Sequence, residues 1–398
     1  MNFFLILRML QAVFVFGSAY SAIAVSLTST NALLIYDTKL SISRIYMVDS
    51  LNGWAWTEGK KNGKLLLRTC DGGSSWLNVT PDTPSLSSTA SDFISSQDAW
   101  VFSSDEKTQQ AALLHTSDGG ISWIKISSPF KYLNEDSTLH FFDTTNAIAM
   151  FGDYGLGSVY YNLFKTEDGG ETWKPLSVAS PKHDINPGVP SNTFHLSSLD
   201  HDQICFNPPS TIIVTYGDVQ DYKPSGILKL TISTNLGRSW QDLKLSLPTT
   251  YEKGAVYPLQ PMFFSAREGV LPVYIRKMGA NTYGLAFYTT DNGGSLWKEK
   301  SKVIEFRDLQ GGPNINDIDI ISYKDIVVRS AKCLYITTDS AENWRIVTPT
   351  INLGGENSDR AVQFNFIDLT NGWSVIKDNA QYRCFNTKDG GITWEELN

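Results

Sequence analysis

The chain has 398 residues, with 33 Lys and Arg against 41 Asp and Glu, a formal charge of −8. Its 41 % hydrophobic and 19 % charged residues are those of a folded chain and exclude wholesale disorder. With 5 His and no basic run, the composition argues against nucleic acid or anionic lipid as the main partner.

Residues 1–24 carry one charge, Arg8, then an apolar stretch, then Ala22-Ile23-Ala24. A small-x-small triplet after an apolar core is what signal peptidase cuts, which places cleavage after Ala24 and predicts export. An uncleaved anchor is the alternative, and would be the only membrane contact, because nothing further on has 18 consecutive apolar residues. Destination outside the cell, at its surface or in the periplasm, is left open. Cys70, Cys205, Cys333 and Cys384 contain no CxxC pair, so they read as free or buried thiols.

An octet, Ser/Thr-x-Asp-x-Gly-x-x-Trp, then recurs along the chain. It runs from Thr69 to Trp76, Thr116 to Trp123 and Thr166 to Trp173, with Asp71, Asp118 and Asp168 in the third place. Looser copies end at Trp240 and Trp297, with Asn235 and Asn292 in the Asp place. A sixth ends at Trp344 with Asp339 and has Ala341 for Gly; the seventh, with Asp389 and Trp394, is complete. The tryptophans are spaced 47, 50, 67, 57, 47 and 50 residues apart. Such periods with repeated turn and aromatic signals predict an all-β, seven-bladed β-propeller of four-stranded antiparallel blades. Residues 25–398 give 374 residues, about 53 per blade.

The chemistry of the octet is that of a turn. Asp and Asn accept hydrogen bonds from nearby backbone N–H groups, Gly supplies positive φ, and Trp buries a large apolar face. Each octet is expected to join the third and fourth strands of a blade. A second signal precedes it, as in Asp49 to Trp54 and Asp368 to Trp373, and predicts the first hairpin with Asn-Gly as its turn pair. Packing then accounts for all 11 Trp: seven in octets, Trp54, Trp100 and Trp373 in the second-strand slot, and Trp56 beside Trp54.

These octets resemble the Asp-box, or BNR, repeat, and with their Asn-Gly-Trp partners resemble exported bacterial propellers like the photosystem II stability and assembly factor. The resemblance covers nearly the whole chain after residue 24. It implies a propeller and, from those relatives, a role in assembling a membrane complex. Asp boxes also occur in sialidases, two-domain xyloglucanases and sortilin-type receptors, at the blade periphery and away from the central ligand site. Those assembly factors carry a basic patch, whereas this chain has only Arg44 and Arg68 between the leader and blade four.

A sialidase would need an Arg-Ile-Pro sequence on the first inner strand and two more arginines for the substrate carboxylate. Here Arg44-Ile45 is followed by Tyr46, and the slot of Arg44 is Ala90, Thr138, Gln260 and Gln363 in blades two, three, five and seven. Arg276, Arg329 and Arg383 fall outside that slot. Binding is expected instead at the channel mouth, through the long connections Lys174–Phe194, Thr249–Gln260, Lys302–Asn314 and Thr348–Arg360. Their polar candidates, beside Arg44, are Tyr251, Glu252, Arg307, Asp308 and Arg360. His183, His195 and His201, with Asp200 and Asp202, match no metal motif. No metal and no cofactor are implied.

The sequence thus reads as an exported, monomeric, non-catalytic scaffold whose partner is a protein or a cell-surface glycan. A glycan-binding propeller and a sialidase-like glycosidase are the alternatives. Ring closure is expected from packing of blade seven on blade one, with residues 27–37 adding an edge strand there, and Ser85–Ser91 linking blades one and two.

Overall fold

The computed structural model describes residues 26–28 and, from 41 to 397, all but several short stretches and three longer ones, 177–202, 308–316 and 354–360. The leader and its expected cleavage point lie outside the described residues, as do His183, His195, His201, Asp200 and Asp202. The strands form seven antiparallel sheets, each ordered from inner to outer edge as the chain runs. Blade one comprises Ile42–Met47, Gly53–Thr57, Leu66–Thr69 and Leu77–Asn78. Blade seven comprises Ala361–Phe366, Gly372–Asp378, Gln381–Thr387 and Glu395–Leu397. In blade five the inner strand is split into Ala255–Pro258 and Met262–Phe263, and the outer into Lys298–Glu299 and Ile304–Arg307. The architecture is a seven-bladed β-propeller.

Burial explains why the strands assemble this way. Seven apolar clusters lie among the described residues, one between each adjacent pair of blades. Every octet Trp packs toward the preceding blade. Trp123 joins the cluster between blades one and two and donates its indole N–H to Val79 O at 3.0 Å. The second-strand tryptophans reach the opposite way: Trp54 donates to Ser95 O and Trp373 to Gly72 O, both at 3.0 Å. Each tryptophan set therefore binds a blade to a different neighbour.

The last bond closes the ring. Trp373, Val375 and Cys384 of blade seven share one cluster with Ile42, Ile45 and Trp76 of blade one, so closure is by packing between complete blades. An edge strand at that seam is expected from residues 27–37; residues 29–37 lie outside the described residues, and the described N-terminal strand is elsewhere. Ser26–Thr28 instead pairs antiparallel with the outer strand of blade two, from Ser26 opposite Ile124 to Thr28 opposite Ser122. That strand, Ser122–Lys131, has 10 residues, whereas the outer strand of blade seven has 3. Blade two thus offers the longer unpaired ladder.

The octets sit between third and fourth strands and are wired alike. In blade two, Thr116 Oγ1 donates to Asp118 Oδ1 (2.8 Å) and accepts from Gly120 N (2.8 Å). Asp118 in turn accepts from Ser122 N (2.9 Å) and Ser122 Oγ (2.6 Å). Burial pushes Asp118 upward, but hydrogen bonds from Ser122 and Thr116 outweigh it and hold the carboxyl below its ordinary range. Asp71, Asp168, Asp339 and Asp389 are held the same way. Asn235 and Asn292 reproduce the accepting half, from Ser239 N and Leu296 N at 2.9 Å.

The Asn-Gly pair acts differently from the expected turn. Asp49 Oδ1 accepts from Leu51 N and Asn52 N, so the carboxylate makes the turn. Gly53 already belongs to the second strand, and it is Gly because a Cβ would collide with Met47 Sδ and Tyr46 O.

A candidate site on the inner strands of blades seven, one and two

In every blade the octet's fourth residue donates its N–H to the turn between the first and second strands, at 2.8–3.0 Å, as Gly119 does to Gln97 O. Both turn families therefore lie on one face of the ring. The opposite face carries the blade-to-blade connections and the beginnings of the inner strands. There the inner strands of three consecutive blades are irregular. Blade seven bulges between Ala361 and Gln363, and blade one between Ile42 and Arg44. In blade two (inner strand Leu86–Phe93), Leu86 opposes Ser103 and Ser91 opposes Val101, so five steps of one strand match two of the other. The run Ser85–Ser91 is thus mostly inner strand, contrary to its expected role as a connector. Ala90 N donates to Ser87 Oγ at 3.0 Å and Ser91 Oγ to Ser88 O at 3.2 Å, turning the excess chain outward from the ladder.

These bulges meet. Gln363 spans the closing seam like a ladder rung, accepting from Ile45 N (2.6 Å) and donating to Ile45 O (2.7 Å). One residue back, Arg44 donates to Ser88 O at 3.4 Å, while Lys64 Nζ donates to Ser88 Oγ at 2.9 Å. Ser87 and Thr89 set their hydroxyls 3.2 Å apart beside it. Two cations thus converge on one buried serine, and among the described residues neither has a carboxylate partner. Two cationic groups beside a cluster of hydroxyls form an arrangement that can hold an anion.

The remaining sequence candidates do not join it. Tyr251 lies in the short 3-10 turn Thr249–Tyr251, is 5 % exposed, and packs in the core between blades four and five. Burial first, then the Glu305 charge, raises its phenol. Glu252 follows it and is exposed. Arg307 ends an outer-strand segment opposite Thr282, while Asp308 and Arg360 lie outside the described residues. Two expected loops are therefore partly strand, because Ala255, Val256, Ile304 and Phe306 are buried.

The other arginines are engaged elsewhere. Arg329 is buried in blade six, donating to Leu353 O at 2.9 Å and paired with Asp317. Arg383 grips Glu396 at 2.9 and 2.7 Å, and Arg276 lies 5.9 Å over the Tyr283 ring. Lys64 and Ser88 escaped the sequence reading. The Ser-rich run was the available signal, but nothing in it tells a connector from a bulge. Among the described residues no group of His, Cys, Asp and Glu could hold a metal, and no helix is long and apolar enough to cross a membrane. All four cysteines are unpaired.

No protein-family model matches the sequence, and no curated protein matches it. Among solved structures, the chain is similar to YCF48 bound to D1 peptide, at 14 % identity over 92 % of this chain and 96 % of that one, TM-score 0.47. It is also similar to a polysaccharide lyase, an ulvan lyase, at 11 % identity over 90 % and 94 %, TM-score 0.49. The β-propeller domain of the Trilobed protease from Pyrococcus furiosus aligns at 11 % identity over 90 % and 98 %, TM-score 0.49. The seven-bladed ring itself rests on the strand pairings of this chain.

Proposed function

We propose that this chain is an exported propeller that acts as a protein-interaction scaffold, with no chemistry of its own, and that its octets are Asp boxes of the BNR type. It takes hold of its partner through an anionic group seated between the inner strands of blades one and two. The observation that supports this reading is the meeting of Arg44 and Lys64 at Ser88 with no carboxylate partner among the described residues. In a protein of net charge −8, two cations that meet at an inner-strand serine are a place for a ligand's charge.

A sugar carboxylate is the second reading, favoured by Arg44 standing on the first inner strand, where a sialidase would place an arginine. Two measurements separate them. The wild-type chain and Arg44→Ala are titrated with a labelled Glu-rich peptide, and both are offered fluorogenic glycosides, sialosides included. Peptide binding that weakens about tenfold in the variant, with no turnover, is the outcome this reading requires. Turnover that vanishes with Arg44 would replace it by a glycosidase.

A further inference from the structure

The N-terminal strand marks one rim of the ring. Ser26–Thr28 runs antiparallel to the outer strand of blade two, with Ser26 opposite Ile124, so its N-terminal end points along that strand toward Lys125. Ala24, the last residue of the apolar leader, precedes Ser26 by two positions, and two residues span at most about 7 Å. Whatever holds the leader is therefore held close to the rim of blade two.

That rim is apolar and cationic. Ile121, in the octet turn, is 63 % exposed, and Ile124 is 45 % exposed. Lys125 beside it is exposed, and the strand Ser122–Lys131 contains no acid. Arg68 of blade one adds a second charge, because a Cβ on Gly119 would collide with its guanidinium, which therefore lies on the octet of blade two. Among the described residues neither Arg68 nor Lys125 has a carboxylate partner. Asp118, the one acid of this octet, is occupied by Thr116 and Ser122.

The other rims differ. The outer strands of blades four, five and seven carry Asp242, Glu299, and Glu395 with Glu396, and the octet of blade three carries Glu167 and Glu171. Leu77–Asn78 of blade one is half-buried and uncharged. Blade six sets Arg345 beside Ile346, which is 64 % exposed, but among the described residues no further strand joins it. The net charge of −8 thus hides a local excess of positive charge where the leader arrives. Exposed aliphatic side chains flanked by cations suit an anionic bilayer surface, the alkyl groups entering the headgroup boundary and the cations staying at the phosphates.

We propose that the rim of blade two rests on an anionic lipid bilayer, with Ile121 and Ile124 in the headgroup layer and Arg68 and Lys125 on lipid phosphates. The inference rests on the export reading, which brings residues 1–24 to a membrane, and adds a contact that outlasts removal of the leader. Docking by the rim leaves the connection face, with Arg44 and Lys64, open to a partner. The test is cosedimentation with vesicles of phosphatidylcholine, alone or mixed equally with phosphatidylglycerol. It uses the full-length chain and residues 25–398, which include every described strand. Residues 25–398 are expected to bind the mixed vesicles, and about tenfold more weakly as Ile121→Ser/Ile124→Ser, at an unaltered melting temperature. Lys125→Gln should weaken binding to mixed vesicles about fivefold and leave plain phosphatidylcholine unaffected. Ile346→Ser and Arg44→Ala should change nothing. Failure of residues 25–398 to bind, or equal binding with and without the two isoleucines, would overturn the proposal. So would loss through Arg44→Ala, which would assign the lipid to the connection face. A full-length chain stripped by high salt as readily as residues 25–398 would contradict the leader alone.

Discussion

On the turn face of the ring, seven octets repeat one set of hydrogen bonds, each within eight residues of chain, and each donates to the neighbouring turn at 2.8–3.0 Å. On the connection face, the contacts that matter join residues 24, 44 and 318 positions apart: Lys64 to Ser88, Arg44 to Ser88, Gln363 to Ile45. The first face is local and redundant, so it keeps its geometry even where Asn replaces Asp or Ala replaces Gly. The second is assembled once, by bulges in three adjacent blades. Redundancy marks the surface that holds the ring together, and irregularity marks the surface free to bind.

Substitutions on the two faces should therefore separate stability from binding. The largest effect belongs to Trp123→Ala, which empties a fully buried site between blades one and two and orphans Val79 O. It should cost about 3–5 kcal/mol, measured by denaturant unfolding, while variants of Lys64 leave the midpoint unchanged. Next comes Asp319, which burial raises to about 6 despite hydrogen bonds from Phe366 N and Asn365. Folded, it takes up a proton more readily than the ordinary value of 3.8 allows, so stability falls as pH rises from about 4 to 6. Asp319→Asn should flatten that window and gain stability on the order of 2 kcal/mol at neutral pH. The octet carboxylates act oppositely: held low, they support the fold above their unfolded value and release it as pH falls below about 4.

Asp118→Ala removes the acceptor for Thr116 Oγ1, Ser122 N and Ser122 Oγ. A loss of about 1–2 kcal/mol with unchanged ligand binding is expected, checked by paired melting and titration. Smallest is the repair of blade six, where Ser340 and Ala341 occupy positive φ of 60° and 66° in place of the Gly-Gly found in five of the other octets. Ser340→Gly/Ala341→Gly should raise the melting temperature, by about 0.5–1 kcal/mol of stability, if the strain lies in the backbone alone.

The blade number, the place of each octet and the direction of closure were legible because Asp, Gly and Trp act within one turn. So was the slot of Arg44, confirmed at Gln363 by the matching bulges of blades one and seven. What was not legible depends on distant partners. Gly53 looks like a turn glycine until Met47 is placed against it. Tyr251 looks like a loop residue until Gly284 makes room for its ring in the core. Ser88 carries no mark of its own, since its meaning comes from Arg44 and Lys64 reaching it from another blade.

The central claim, that binding belongs to the bulged inner strands and stability to the repeated turns, rests on one direct comparison. A labelled Glu-rich peptide is titrated against the full-length chain, Arg44→Ala/Lys64→Ala and Asp118→Ala, with the melting temperature of each recorded. Affinity lost in the double variant at native stability, and kept in the destabilised Asp118→Ala, is the predicted result. Affinity that survives loss of both cations, or falls with Asp118, would contradict it.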